Sequence, residues 1–237
     1  MLTYTRTIRV DGHGMAIHFG SPVTAARLPG VVVIMHAPGV DTFIHSIVER
    51  LVRAGYAAVA PDLYHRQTEP GSPLERMRRL LDPQVITDGN AAIDYLRAQP
   101  DVDPQRIGIL GFCMGGRVTY LLSAANRDLK AAVVYYGGNI MVPWGANEPS
   151  PFQRTAEIGC PLLFHFGEDD DNPSPATRVQ LDTELTRHGK AHEFFTYPNA
   201  GHAFMNFTNP ERYREAASEA SWPRTLHFLE RHLRGRA

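Results

Sequence analysis

The chain has 237 residues, 43% of them hydrophobic and 21% charged, with a formal net charge of −1. That length suits one α/β domain, 1–237, whose core is large enough to need no disulfide staple. The near-neutral balance, with no basic run interleaved with aromatics, excludes nucleic acid as the partner, and no apolar stretch reaches the roughly 20 residues of a membrane span.

The opening MLTYTRTIRV alternates polar and apolar residues. It reads as a strand rather than a secretory leader. Stretches 4–10 and 15–20 are expected to pair as an antiparallel hairpin at one edge. Apolar, β-branched and aromatic runs then recur at 30–36, 56–63, 106–113, 131–138, 161–167 and 192–198. Runs apolar on both faces suit a parallel sheet covered on both sides. Helical periodicity separates them. Phe43, Ile47, Leu51 and Ala54 recur at spacings of three or four over 42–54, and Gly55 ends that helix. Further helices are predicted over 84–98, 116–126, 176–188 and 211–234, with Pro223 opening a fresh segment of the last. The Pro-rich 143–151 is a loop. Alternating strands and helices give a doubly wound, mostly parallel α/β sheet with no large cap.

One stretch carries chemistry. GILGFCMGG, 108–116, places Cys113 between Gly111 and Gly115 where a strand turns at once into a helix. This is the G-x-nucleophile-x-G bend, with glycines where side chains would collide with the neighbouring strand and helix. The helix N-terminus favours a thiolate, and the Met114 N–H points toward an oxyanion. A thiol needs a base, and the base needs an orienting acceptor. HFGEDDDNPSP, 165–175, offers Asp170, with Asp171 as the alternative. NAGHAF, 199–204, presents His202 on a loop after the last strand. The order nucleophile, acid, histidine is that of the α/β-hydrolase fold. The other cysteine, Cys160, sits at a different strand end, so both thiols read as free in a reducing, cytoplasmic setting. Eleven histidines include no HExxH spacing, so no metal is assigned.

With these motifs in view, the sequence resembles the dienelactone hydrolase family, the carboxymethylenebutenolidases and their relatives, over nearly its whole length. The likeness rests on GFCMGG (111–116), AGYAAVAPDLYHRQ (54–67), FHFGEDD (164–170), AGHAF (200–204) and AAIDYLRAQP (91–100). It implies a Cys113–Asp170–His202 triad, no cofactor, and a cytosolic monomer or small oligomer such as a homodimer. The chain departs from the family twice. Where well-studied members carry a glutamate after the third strand, this chain reads MHAPGV, with His36 or Ala37 in its place. Where they follow the histidine with Ser and Arg contacts to a substrate carboxylate, Ala203 and Asn206 stand here. Arg76 or Arg78 of ERMRRL remains as a candidate substrate contact, Arg78 preferred.

The reading is therefore a cysteine-dependent hydrolase of activated esters or lactones. Met114 and a backbone N–H near Ala37 form the oxyanion hole. His36 favours the thiolate, and Tyr64, Trp144 and Phe152 lie on loops placed to overhang the site. Two rivals stand beside it. One is another cysteine enzyme on an α/β sheet, such as a glutamine amidotransferase, which takes its histidine from an H-x-E segment that the chain lacks downstream. The other is a non-catalytic binding protein on a hydrolase scaffold.

Overall fold

The computed structural model describes residues 1–24 and 26–235. The expectation of one domain over 1–237 thus includes residues 25, 236 and 237, which lie outside the described residues. An eight-stranded sheet runs in the order β1-β2-β4-β3-β5-β6-β7-β8. β1 (Leu2–Val10) and β2 (His13–Ser21) form the antiparallel edge hairpin, and β2 lies antiparallel to β4 (Ala57–Pro61). The remaining neighbours are parallel: β3 (Leu28–Ile34), β5 (Val102–Phe112), β6 (Ala131–Tyr135), β7 (Leu162–Gly167) and β8 (His192–Tyr197).

The pattern of burial follows from the sequence. β3, β4, β6 and β7 are buried at every position, as runs apolar on both faces require. α1 (Thr42–Arg53) buries Phe43, Ile44, Ile47, Val48, Leu51 and Val52 along one stripe. Each such side chain contributes about 1.5–3 kcal/mol by leaving water. Asp41 caps α1 by accepting from the Ile44 N–H at 3.1 Å. α6 (Glu215–Arg234) shares that face of the sheet, where Arg50 stacks on Trp222 at 4.2 Å. α3 (Asp82–Arg97) and α4 (Met114–Ala125) cover the other face. α5 (Pro175–Arg187) joins β7 to β8.

Two differences from the sequence reading have physical reasons. Pro223 does not open a new helix, because α6 runs unbroken through it. Both Pro223 and Glu219, whose carbonyl loses its helical partner, are exposed, which keeps the lost bond at the solvent-facing side of the helix. A short helix, α2 (Pro73–Arg78), was not predicted. It buries no residue and holds its shape through a capping box between Ser72 and Glu75. Among the described residues no helix is long and apolar enough to cross a membrane.

Because β3, β5, β6, β7 and β8 are parallel, their carboxyl ends open on one edge. That edge receives the segments after Ile34, Phe112, Tyr135, Gly167 and Tyr197. Ligands of open α/β sheets bind there.

Candidate active site

Cys113 sits between β5 and α4 at φ +56°, ψ −117°, a region closed to most side-chain-bearing residues. Surrounding structure holds the strain. The Cys113 N–H donates to the Tyr135 carbonyl at 3.0 Å, and its own carbonyl accepts from Gly116 N–H at 3.0 Å. A Cβ on Gly115 would fall 2.4 Å from the Ile34 carbonyl oxygen, so only glycine lets α4 start this close to β3. The helix consequently begins at Met114, two residues before the predicted 116.

Cys113 and His202 border the same cavity, close enough that each shifts the other's ionisation. On the far side of the ring, His202 Nδ1 lies 3.0 Å from Asp170 Oδ2. Asp170 is 3% exposed, and its other oxygen accepts from the Asn172 N–H at 2.9 Å. The Arg178 guanidinium donates to the Asp170 main-chain carbonyl at 2.7 Å, which anchors the loop. Asp171 is exposed, and the His202 ring bonds to Asp170 instead. Thus the structure brings Cys113, His202 and Asp170 into one chain of contacts and leaves Asp171 outside it.

Burial opposes charge on both members of the pair. On His202 the hydrogen bonds and charges of Asp170 and Cys113 overcome it and lift the ring to about 10. On Cys113 burial pushes the thiol up, but the His202 bond and charge, with the Met114 N–H, outweigh it and hold the thiol below its ordinary value. Both shifts act in the direction of thiolate and imidazolium. The Tyr136 and His202 ring centres lie 5.2 Å apart in an edge-to-face arrangement.

A cavity of about 450 Å³ opens beside the sulfur. Pro73, Leu74 and Met77 of α2 and Trp144 give it apolar lining, and Asn172, Asn209 and Arg212 give it polar lining. Met114, Ala37 and His36 also border it. The Gly39 N–H holds the His36 carbonyl at 2.9 Å, so the Ala37 N–H of the same peptide points the opposite way. His36 is 4% exposed, with Nε2 2.9 Å from Asp41 Oδ2.

Three of the candidates named from sequence lie elsewhere. Tyr64 is off the cavity wall, buried behind the 36–39 turn with its hydroxyl on the Ala37 carbonyl. Arg78 is exposed and borders no part of the cavity. Residues two apart on a helix point about 200° from each other, and it is Arg76 that turns inward, 4.1 Å over the Tyr64 ring. Phe152 begins a 3₁₀ turn, Phe152–Glu157, and also stands off the cavity.

Sequence reasoning missed Tyr136, Asn172, Arg212 and a buried ion pair beneath Trp144. Arg117 Nη1 and Nη2 lie 2.6 Å and 2.9 Å from the two oxygens of Asp82. One charge in the apolar run MGGRVTYLLSAA was the available signal, because a buried guanidinium demands an acid.

Residues 15–233 match the family model described as "Dienelactone hydrolase family". The "Carboxymethylenebutenolidase" of Pseudomonas putida is 34% identical over 231 residues, covering 92% of each chain. A Bradyrhizobium protein named "Probable 2-oxo-3-(5-oxofuran-2-ylidene)propanoate lactonase" is 33% identical, covering 97% of this chain and 94% of its own. Among solved structures, a "Putative Dienelactone Hydrolase" from Klebsiella pneumoniae superposes with a TM-score of 0.85 at 30% identity, covering 96% of this chain and 98% of that one.

Proposed function

Since the chain belongs to the dienelactone hydrolase family and is thereby a lactone or ester hydrolase, we propose that it acts on activated esters and enol-type lactones through a thioester on Cys113. One observation carries this reading: Cys113 at a strained bend shares one cavity with His202, and the far side of that ring bonds to the buried Asp170 carboxylate. The thiolate attacks the carbonyl carbon, and the backbone N–H groups of Met114 and Ala37 receive the oxyanion. Imidazolium His202 protonates the departing oxygen. A water then attacks the thioester as His202 takes its proton, and Asp170 holds the ring's tautomer throughout.

Sulfur limits the substrate. A thiolate leaves a tetrahedral intermediate more readily than a simple alkoxide, since free cysteine has a pKa of about 8.5. An alkyl ester therefore returns to starting material. An enolate or phenolate leaves well enough to complete the step. The Bradyrhizobium relative's name specifies a 5-oxofuran-2-ylidene lactone, an ester of this enol type. Across aryl and alkyl esters of graded leaving-group acidity, kcat/KM should climb steeply as the leaving oxygen becomes more acidic. Quenched samples should carry the acyl mass on the Cys113 peptide. Equal rates along the series, or acyl mass on no residue, would contradict the reading.

The pH dependence follows from the two shifts. For kcat/KM the free enzyme is the reference state. Activity rises as the thiol ionises, below the ordinary thiol range, and falls as the imidazolium is lost near pH 10. Acylation removes the sulfur's charge, so the ring loses one of the two supports that lift it. Deacylation needs a neutral ring, so kcat limited by that step rises with pH through a value under 10 and shows no alkaline fall there. Separate profiles of kcat and kcat/KM measure both limbs.

A further inference from the structure

The Tyr64 hydroxyl reaches both residues that frame the oxyanion position. It donates to the Ala37 carbonyl at 2.8 Å and lies 3.5 Å from Met114 Sδ. The side chain is 1% exposed, and desolvation keeps the phenol protonated. Its backbone is fixed by the Tyr64 N–H donating to Asp62 Oδ1 at 2.9 Å, and its ring is covered by Arg76 at 4.1 Å.

The Ala37 N–H belongs to the peptide between His36 and Ala37. Gly39 ties that peptide's carbonyl at 2.9 Å. The following peptide joins Ala37 to Pro38 and has no N–H, so its carbonyl is its one polar handle. Tyr64 holds that handle. With both planes tied, the φ and ψ of Ala37 are clamped and its N–H keeps one direction. Oxyanion stabilisation depends on donors 2.7–3.1 Å from the developing charge, a tolerance that a freely rocking peptide does not meet.

We propose that Tyr64 is a positioning residue that holds the Ala37 donor and the Met114 side of the oxyanion hole in place. This rests on the thioester reading above. The His-Ala-Pro-Gly turn is thus closed from within by Gly39 and braced from outside by Tyr64.

The test compares Tyr64→Phe with the parent chain in three measurements. For an aryl ester, kcat should fall about tenfold with KM within twofold, less than the roughly 10²–10³-fold lost when an oxyanion donor is removed outright. A substrate-like aldehyde, which adds to the thiolate to place an oxygen anion in the hole, should bind about tenfold more weakly. Alkylation of Cys113 by iodoacetamide, which uses no oxyanion, should proceed at the parent rate. Unchanged kcat and aldehyde affinity would overturn the proposal, as would an equal loss in all three. The aldehyde arm needs no turnover, so it also separates the two readings. If Cys113→Ala binds the aldehyde as tightly as the parent, the thioester reading has failed and not the positioning of Ala37. Should Tyr64→Phe fail to fold, Arg76→Gln uncovers the ring, and a roughly threefold loss in the same two measurements, alkylation unchanged, is expected. No loss in either would overturn the proposal in that variant.

Discussion

Cys113→Ala is expected to lower kcat/KM for an activated ester on the order of 10⁴-fold or more, with Tm within a few degrees of the parent. In the proposed thioester route the nucleophile is the part without a substitute. On that route, once the sulfur is gone, only the proposed Met114 and Ala37 donors and the cavity remain to speed attack by water. The bend itself survives, since alanine keeps a Cβ at the same φ of +56° and removes only the sulfur. The variant also changes its neighbour. The Cys113 bond and charge that help raise His202 vanish, so the ring titrates lower in the variant, which NMR of the imidazole would show. Affinity for an inert product analogue should stay within a few-fold. Full retention of hydrolysis would remove the sulfur from the mechanism. Loss of product binding together with activity would mean that the substitution collapsed the cavity instead.

What could be read in the sequence was local. Gly111, Cys113 and Gly115 announce the bend because the collisions they avoid lie within a few residues and across the adjacent strand. His202 and Asp170 were legible through chain order, since each follows a strand whose end lies on the shared edge of a parallel sheet. Nothing local separates Asp170 from Asp171. The difference comes from Arg178 and Asn172, which tie down one residue and leave its neighbour in solvent. Tyr64 and Arg78 show the same limit in side-chain direction. Position on a loop near the sheet edge did not reveal that Tyr64 points under the 36–39 turn, nor that Arg76 rather than Arg78 packs onto it. α2 has no buried residue, so it has no apolar stripe to find. Its Ser72–Glu75 capping spacing was the readable sign.

The partner of Arg117 was least accessible, standing 35 positions away. Asp82→Asn should destabilise the protein by about 3–5 kcal/mol, because the variant leaves a buried guanidinium without its counter-charge. For a chain of this size that is a Tm loss of roughly 6–20 °C by calorimetry. The cost goes beyond one bond. Arg117 also donates to the Asn139 carbonyl at 3.2 Å and the Val142 carbonyl at 2.5 Å, and stacks on Trp144 at 3.7 Å. Asp82 accepts from the Trp144 N–H at 2.9 Å. The pair is thus a fastener for the loop that carries the cavity's Trp144 wall. A double variant, Asp82→Leu with Arg117→Met, separates the two contributions. Replacing both charges with apolar groups of similar bulk should recover most of the stability, since no charge remains buried alone. It should not recover the fastening, because neither side chain reaches the carbonyls of 139 and 142. KM for an aryl ester should therefore stay raised about fivefold or more, with the Cys113 alkylation rate unchanged. If KM returned to the parent value with the stability, the ion pair would serve the fold alone, and the position of Trp144 would be set by its other packing.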